Sequence, residues 1–267
     1  MSISGETKNE AAVMDLVVQA GCVLLENGAE IFRVEETMNR ICRHYGIESE
    51  SAFVLSNGIF ITSGNAQEKF FAKVQQVPVS GSRLDKVVAV NQLSREIEQG
   101  TYTVREAAAK LERIRQMPGK SNRSLILASA VASAAFCYLF GGNLRDSLAA
   151  FMSGLVLYLY VLFIANPHLS KIAGKIGGGL TVALTCGLLC AVRIGQHPDF
   201  MMIGSIMPLV PGVAFTNAIR DMADEDYLSG SVRLLDALLS FLCIALGVGI
   251  GIFILRQIGS SPLLHLA

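Results

Sequence analysis

Residues 148–165 read LAAFMSGLVLYLYVLFIA, a continuous run without one charged side chain. A helix rises about 1.5 Å per residue, and a hydrocarbon layer of about 30 Å takes roughly 17 to 25 residues to cross. The run, with its neighbours, therefore suffices for a span. Working outward, comparable runs occupy 125–140 upstream and 176–192, 201–218 and 234–255 downstream. They are continuous and rich in small residues rather than alternating, so helices, which bond their own backbone, are the spanning solution they predict. We expect a membrane α-helical fold with five transmembrane helices, at about 125–141, 147–165, 175–193, 200–218 and 233–255, within a transmembrane domain of residues 121–267.

The first 123 residues are of another kind. They hold 15 basic and 15 acidic side chains, against 7 and 7 in the remaining 144. We expect residues 1–120 to form a cytoplasmic α+β domain, because the polar amino terminus lacks the basic-then-apolar order of an export signal. Val13, Leu16, Val17, Ala20 and Leu24 recur at helical spacing up to Asn27-Gly28, and Ile31, Val34, Met38, Ile41 and Tyr45 mark a second helix ending at Gly46. Strand formers follow from Ile47 to Leu55, from Ile59 to Thr62 and from Phe70 to Val77, separated by Ser56-Asn57-Gly58, read as a positive-φ turn, and by Gly64-Asn65. Beyond the loop at 78–82, Val87 to Ile97 and the capping box Thr103/Glu106 predict two more helices. Balanced charge argues against nucleic acid as a partner. Six scattered cysteines indicate neither a disulfide framework nor a metal site, and no cofactor motif appears. Cys186 and Cys190, four apart, read as core packing.

The fourth run carries Met207-Pro208-Leu209-Val210-Pro211-Gly212. Pro208 and Pro211 each remove an amide donor, which would free the carbonyls of Gly204 and Met207, and Gly212 tolerates backbone angles other residues resist. The helix should break there and open a polar substrate site, since discontinuous spans commonly do so. A plain proline kink weighs equally. Beyond it, Asn217, Arg220, Asp221 and the acidic turn 224–226 lead to Arg233 and Asp236. Asp236 lies in an apolar run, and pairing with Arg233 at i+3 is its simplest explanation; a relay or substrate role is the alternative. Asn166, before Pro167, is a helix stop or a polar cavity wall. Small pairs four apart, such as Ala150/Gly154 and Gly247/Gly251, suit close helix packing. Near the span ends, eight Lys and Arg fall on the side of the first domain (Arg113, Arg115, Lys120, Arg123, Lys171, Lys175, Arg220, Arg233), against Arg145, Arg193 and Arg256 opposite. That bias orients the domain inward in the cell (inner, cytoplasmic) membrane and, after five spans, the carboxy terminus outward.

These residues resemble the threonine/serine exporter family, in particular its larger subunit in the two-component subfamily. The resemblance covers most of the chain. It rests on Asn27-Gly28-Ala29-Glu30, Arg33-Val34-Glu35-Glu36 and Arg83-Leu84-Asp85-Lys86, then on Leu209-Val210-Pro211-Gly212, Ala218-Ile219-Arg220-Asp221 and Ser229-Gly230-Ser231-Val232-Arg233-Leu234. It implies a secondary exporter of small amino acids or of a small dicarboxylate such as succinate. Full-length members look like two five-helix halves, so a separate small membrane subunit would supply the second, in an oligomeric assembly. Gly28, Glu30, Arg33 and Glu35 would gate or bind substrate, although ion pairing on a helical hairpin explains the same spacings. Two other classes remain: a membrane-anchored ligand-binding accessory or sensor subunit, and a membrane-anchored hydrolase. The last is disfavoured, because no nucleophile elbow, phosphate loop or paired carboxylates are present. Asp221 or Asp236 would couple export to protons.

Overall fold

The computed structural model describes residues 3–47, 51–63, 71–78 and 82–259. The expected turn at Gly64-Asn65, most of the 78–82 loop and the carboxy-terminal segment lie outside the described residues. The chain divides into two compact units: Met1–Pro118 with Gly212–Leu235, and Gly119–Pro211 with Asp236–Ala267.

Unit one opens with α1 (Ile3–Glu26) and α2 (Ile31–His44). Between them Gly28 takes φ +80°, the Ala29 amide reaches back to the Leu24 carbonyl (3.0 Å), and that of Gly28 to Leu25 (3.2 Å). This is the left-handed cap the Asn-Gly pair predicts, and a side chain at Gly28 would also meet Ser82 Oγ at 2.5 Å. The stripe Ile31, Val34, Met38 and Ile41 is buried, as its spacing requires. Strands β1 (Ser51–Leu55), β2 (Gly58–Ser63) and β3 (Phe71–Gln76) form an antiparallel sheet in the order β1-β2-β3. Val54, Ile59 and Ile61 point into the core while Phe53 and Phe60, directly paired, stay exposed. The β1–β2 turn corrects one expectation. No positive φ occurs at Ser56, Asn57 or Gly58; the turn is tied down by the Asn57 carbonyl accepting from the Val77 amide at 2.9 Å. Helices α3 (Leu84–Glu98) and α4 (Val104–Arg115) complete the core, and α4 starts with the complete Thr103/Glu106 capping box.

Unit two contains α5 (Asn122–Leu139), α6 (Leu144–Tyr160), a π turn (Val161–Ala165) running into α7 (Asn166–His168), α8 (Lys171–Ala191) and α9 (Pro198–Ile206). The helix runs through Asn166 and stops with this motif at His168, where Leu169 turns extended. Pro167 has no amide for the carbonyl four residues back, and the Asn166 amide bonds Val161 in the wider π pattern. A 3₁₀ turn (Met207–Leu209) follows α9, then α10 (Gly212–Ala223) and α11 (Tyr227–Gly259). Four described helices are long and apolar enough to cross a membrane: Asn122–Leu139, Leu144–His168, Lys171–Ala191 and Tyr227–Ile258. A fifth is counted if Pro198–Leu209 and Gly212–Ala223, bent by 65°, form one span. Glycines set the helix contacts: a Cβ on Gly154 would meet Ser133 Oγ of α5 at 2.5 Å, and on Gly247 of α11 it would fall on the Ile176 carbonyl of α8.

Candidate functional site

The proline sequence breaks the fourth apolar run as expected, but its carbonyls are not left free. Met207 takes the Gly204 carbonyl through its own amide, and the Val210 amide takes that of Met207 at 3.2 Å. These three-residue bonds replace the two four-residue ones that Pro208 and Pro211 cannot make. Val210, preceding a proline, is extended (ψ 127°), and the helix restarts at Gly212 in a new direction. Nothing lies within 4 Å of a Cβ placed on Gly212, which is exposed. The break is also where the chain leaves unit two for unit one.

Within unit one, the residues after the break converge on the four-residue link between α1 and α2. Asn217 donates to the Gly28 carbonyl (2.9 Å), and Arg233 Nη2 to that of Ala29 (3.1 Å). Arg220 Nη1 donates to Glu30 Oε1 (2.7 Å), and the Ile31 amide to Asp221 Oδ1 (3.3 Å). The Glu30 side chain makes no cap for α2, so the first amide of that helix is served by Asp221, a carboxylate brought in from α10. Asp221 Oδ2 in turn accepts from Arg233 Nη1 at 2.7 Å; the two side chains are 2% and 12% exposed. This overturns the expected Arg233–Asp236 pair. Burial rewards a cation that closes on the sequestered Asp221, whereas Asp236 is exposed and belongs to the other unit. Arg33, half exposed, pairs with Glu30 (3.0 Å), the surface pairing its spacing allows.

Beside this network lies a cavity of ≈ 270 Å³ lined by Ile31, Phe32, Glu35, Phe53, Val54, Asp221 and the turn Asp224-Glu225-Asp226. Glu35 Oε1 accepts the Val54 amide at 3.3 Å. Burial pushes the Glu35 carboxyl above its ordinary range, the Val54 bond pulls it down, and the nearby Asp226 charge adds to the rise. Glu225 holds a left-handed φ of 69°, which closes α10 with the Asp226 amide on the Asp221 carbonyl (2.9 Å). Five carboxylates make the cavity hostile to anions. Among the described residues no group of His, Cys, Asp and Glu is arranged to hold a metal ion.

Other predicted residues stand apart from this cluster. Asn166 is exposed in α7. Two polar centres of unit two escaped sequence reasoning. Asp146, fully buried, accepts the amides of Gln196 (2.6 Å), His197 (3.0 Å) and Asn143 (3.1 Å) and the His197 ring at 2.8 Å. The capping-box spacing Asn143-x-x-Asp146 was its available signal. Lys175, counted only as a flanking charge, bonds Ser240 across two helices.

The family described as "Putative threonine/serine exporter" (ThrE) matches residues 15–255. A curated relative, "Probable succinate transporter subunit YjjP" of Escherichia coli (strain K12), is 25% identical over 92% of this chain and 94% of its own. "Threonine/serine exporter" of Corynebacterium glutamicum is 29% identical over 51% of this chain and 28% of its own. "Pheromone-regulated membrane protein 10" of Debaryomyces hansenii is 22% identical over 90% of this chain and 24% of its own. No solved structure matches.

Proposed function

Since the chain belongs to the threonine/serine exporter family, a multi-pass membrane family of transporters, we propose that it is one subunit of a secondary exporter for a small carboxylate-bearing solute. Threonine, serine and succinate are the solutes that the relatives' names bring forward, and a small membrane subunit of the same family completes the pathway. Unit one faces the cytoplasm, the carboxy terminus faces outward, and the complex is oligomeric in the cell membrane.

The observation that carries this reading is the broken helix: α9 ends at a double-proline interruption, and α10 is bonded at Asn217, Arg220 and Asp221 to the Gly28–Ile31 link. A span that is cut and whose second half is gripped by polar groups suits a moving pathway better than a passive anchor. The grouping of Gly212–Leu235 with unit one supports a topology in which the α10–α11 turn lies on that unit's side, as five crossings require. Asp221 is committed to Arg233, so Asp236 is the better candidate for carrying a coupling proton.

The test is efflux of labelled threonine, serine and succinate from proteoliposomes holding this chain with and without its small partner. Efflux should need both and should vanish when Pro211 and Gly212 are replaced together by Ala, with membrane insertion intact. If no solute leaves the complete vesicles, the exporter reading is wrong.

A further inference from the structure

We propose that Lys175 is a carboxylate-binding residue of unit two, holding the acid group of a small solute where α8 meets α11; this builds on the exporter reading above. Lys175 lies in the first turns of α8, and its ammonium donates to the Ser240 hydroxyl of α11. Ser240 is 5% exposed and gives its own proton to the Asp236 carbonyl at 2.8 Å. Its oxygen is therefore free to accept from the cation, but it brings no negative charge.

Among the described residues no carboxylate closes an ion pair on Lys175. Asp236, one turn before Ser240 on the same helix, is exposed. A lysine near a helix end would ordinarily extend toward water. This one turns sideways onto a buried hydroxyl. A partly buried ammonium met by a neutral oxygen, in a helix apolar enough to cross a membrane, is costly unless an anion completes it.

The packing limits where that anion can come from. One turn further along α8, Gly179 abuts the α11 backbone, and Gly247 of α11 abuts that of α8, so the seam is closed by backbone at that level. Lys175, Ser240 and Asp236 stand at its mouth. The cavity of unit one offers carboxylates, which repel an acid; Lys175 offers donors that form short, charge-assisted bonds to one. The same chemistry serves succinate and the α-carboxylate of threonine. Asp236 separates them, because it repels a second carboxylate and attracts an α-ammonium.

The full chain, purified in detergent, is unfolded thermally with a thiol-reactive dye in sodium succinate, in threonine, or in sodium chloride at equal ionic strength. At least one of the two solutes should raise the wild-type midpoint. Lys175→Arg should keep that rise, and Lys175→Met should weaken the affinity tenfold or more. Without solute, Lys175→Met should unfold no earlier than wild type, because it removes an uncompensated cation. Asp236→Asn should tighten succinate binding. A solute shift that survives Lys175→Met, no shift in wild type with either solute, or a Lys175→Met chain that unfolds well below wild type would overturn the site, the last by making Lys175 a structural clasp. Efflux separates the two proposals. Unchanged KM in Lys175→Met sinks the site alone, whereas Lys175-dependent binding without any efflux from complete vesicles sinks the exporter reading alone.

Discussion

Arg233→Met tests whether the buried pair with Asp221 organises unit one. The guanidinium serves two acceptors, Asp221 Oδ2 at 2.7 Å and the Ala29 carbonyl at 3.1 Å, and its loss leaves the Asp221 carboxylate, 2% exposed, with the Ile31 amide as its one remaining donor among the described residues. Removing one member of a buried pair costs about 3–5 kcal/mol, because the remaining charge is desolvated without compensation. For a chain of this size that is a fall in midpoint on the order of 10 °C. Replacing both residues, Asp221→Leu with Arg233→Met, removes the orphan and should recover much of the loss. Arg220→Ala, which breaks the more exposed pair with Glu30, should cost only about 0.2–1 kcal/mol. The chain has no Trp, so unfolding is best followed through thiols. Cys42 is buried in α2, and burial pushes the Cys22 thiol up to about 11, so both resist a maleimide dye until unit one opens. If Arg233→Met shifts the midpoint no more than Arg220→Ala does, or if the double variant shows no recovery, the pair is not the clasp described.

Glu35 should make stability pH-dependent. Its folded pKa is raised, so its contribution is fully present below the ordinary glutamate range and is lost as pH rises through the higher folded value. Glu35→Gln should therefore stabilise at neutral pH and do progressively less on acidification, as read by midpoints across a pH series. Glu225→Gly should gain about 1 kcal/mol by relieving a left-handed φ of 69° in a non-glycine residue, measured by the same dye assay. Gly247→Ala and Gly249→Ala should part company. The first places a methyl on the Ile176 backbone and should abolish stable assembly of α8 with α11. The second meets nothing within 4 Å and should be tolerated, with a gain of up to about 1 kcal/mol from helix propensity. Detergent-resistant yield on size exclusion separates the two.

Sequence alone determined the elements here. The stripe in α2, the Gly28 and Gly46 caps, the Thr103/Glu106 box and the uncharged runs are set by neighbours three to seven residues away, and local sterics with hydrophobic periodicity read them directly. It also marked where the fourth run is interrupted, since a missing amide is a property of proline itself, while leaving a break and a plain kink equal. Tertiary structure alone decided the partners. Asp221 caps a helix that begins 190 positions earlier, Arg233 passes over Asp236 at i+3 for Asp221, and Lys175 finds Ser240 across 65 positions. Charge pairing goes to whichever opposite group burial has already stripped of water, and burial is fixed by how the elements pack. Spacing along the chain carries no trace of that.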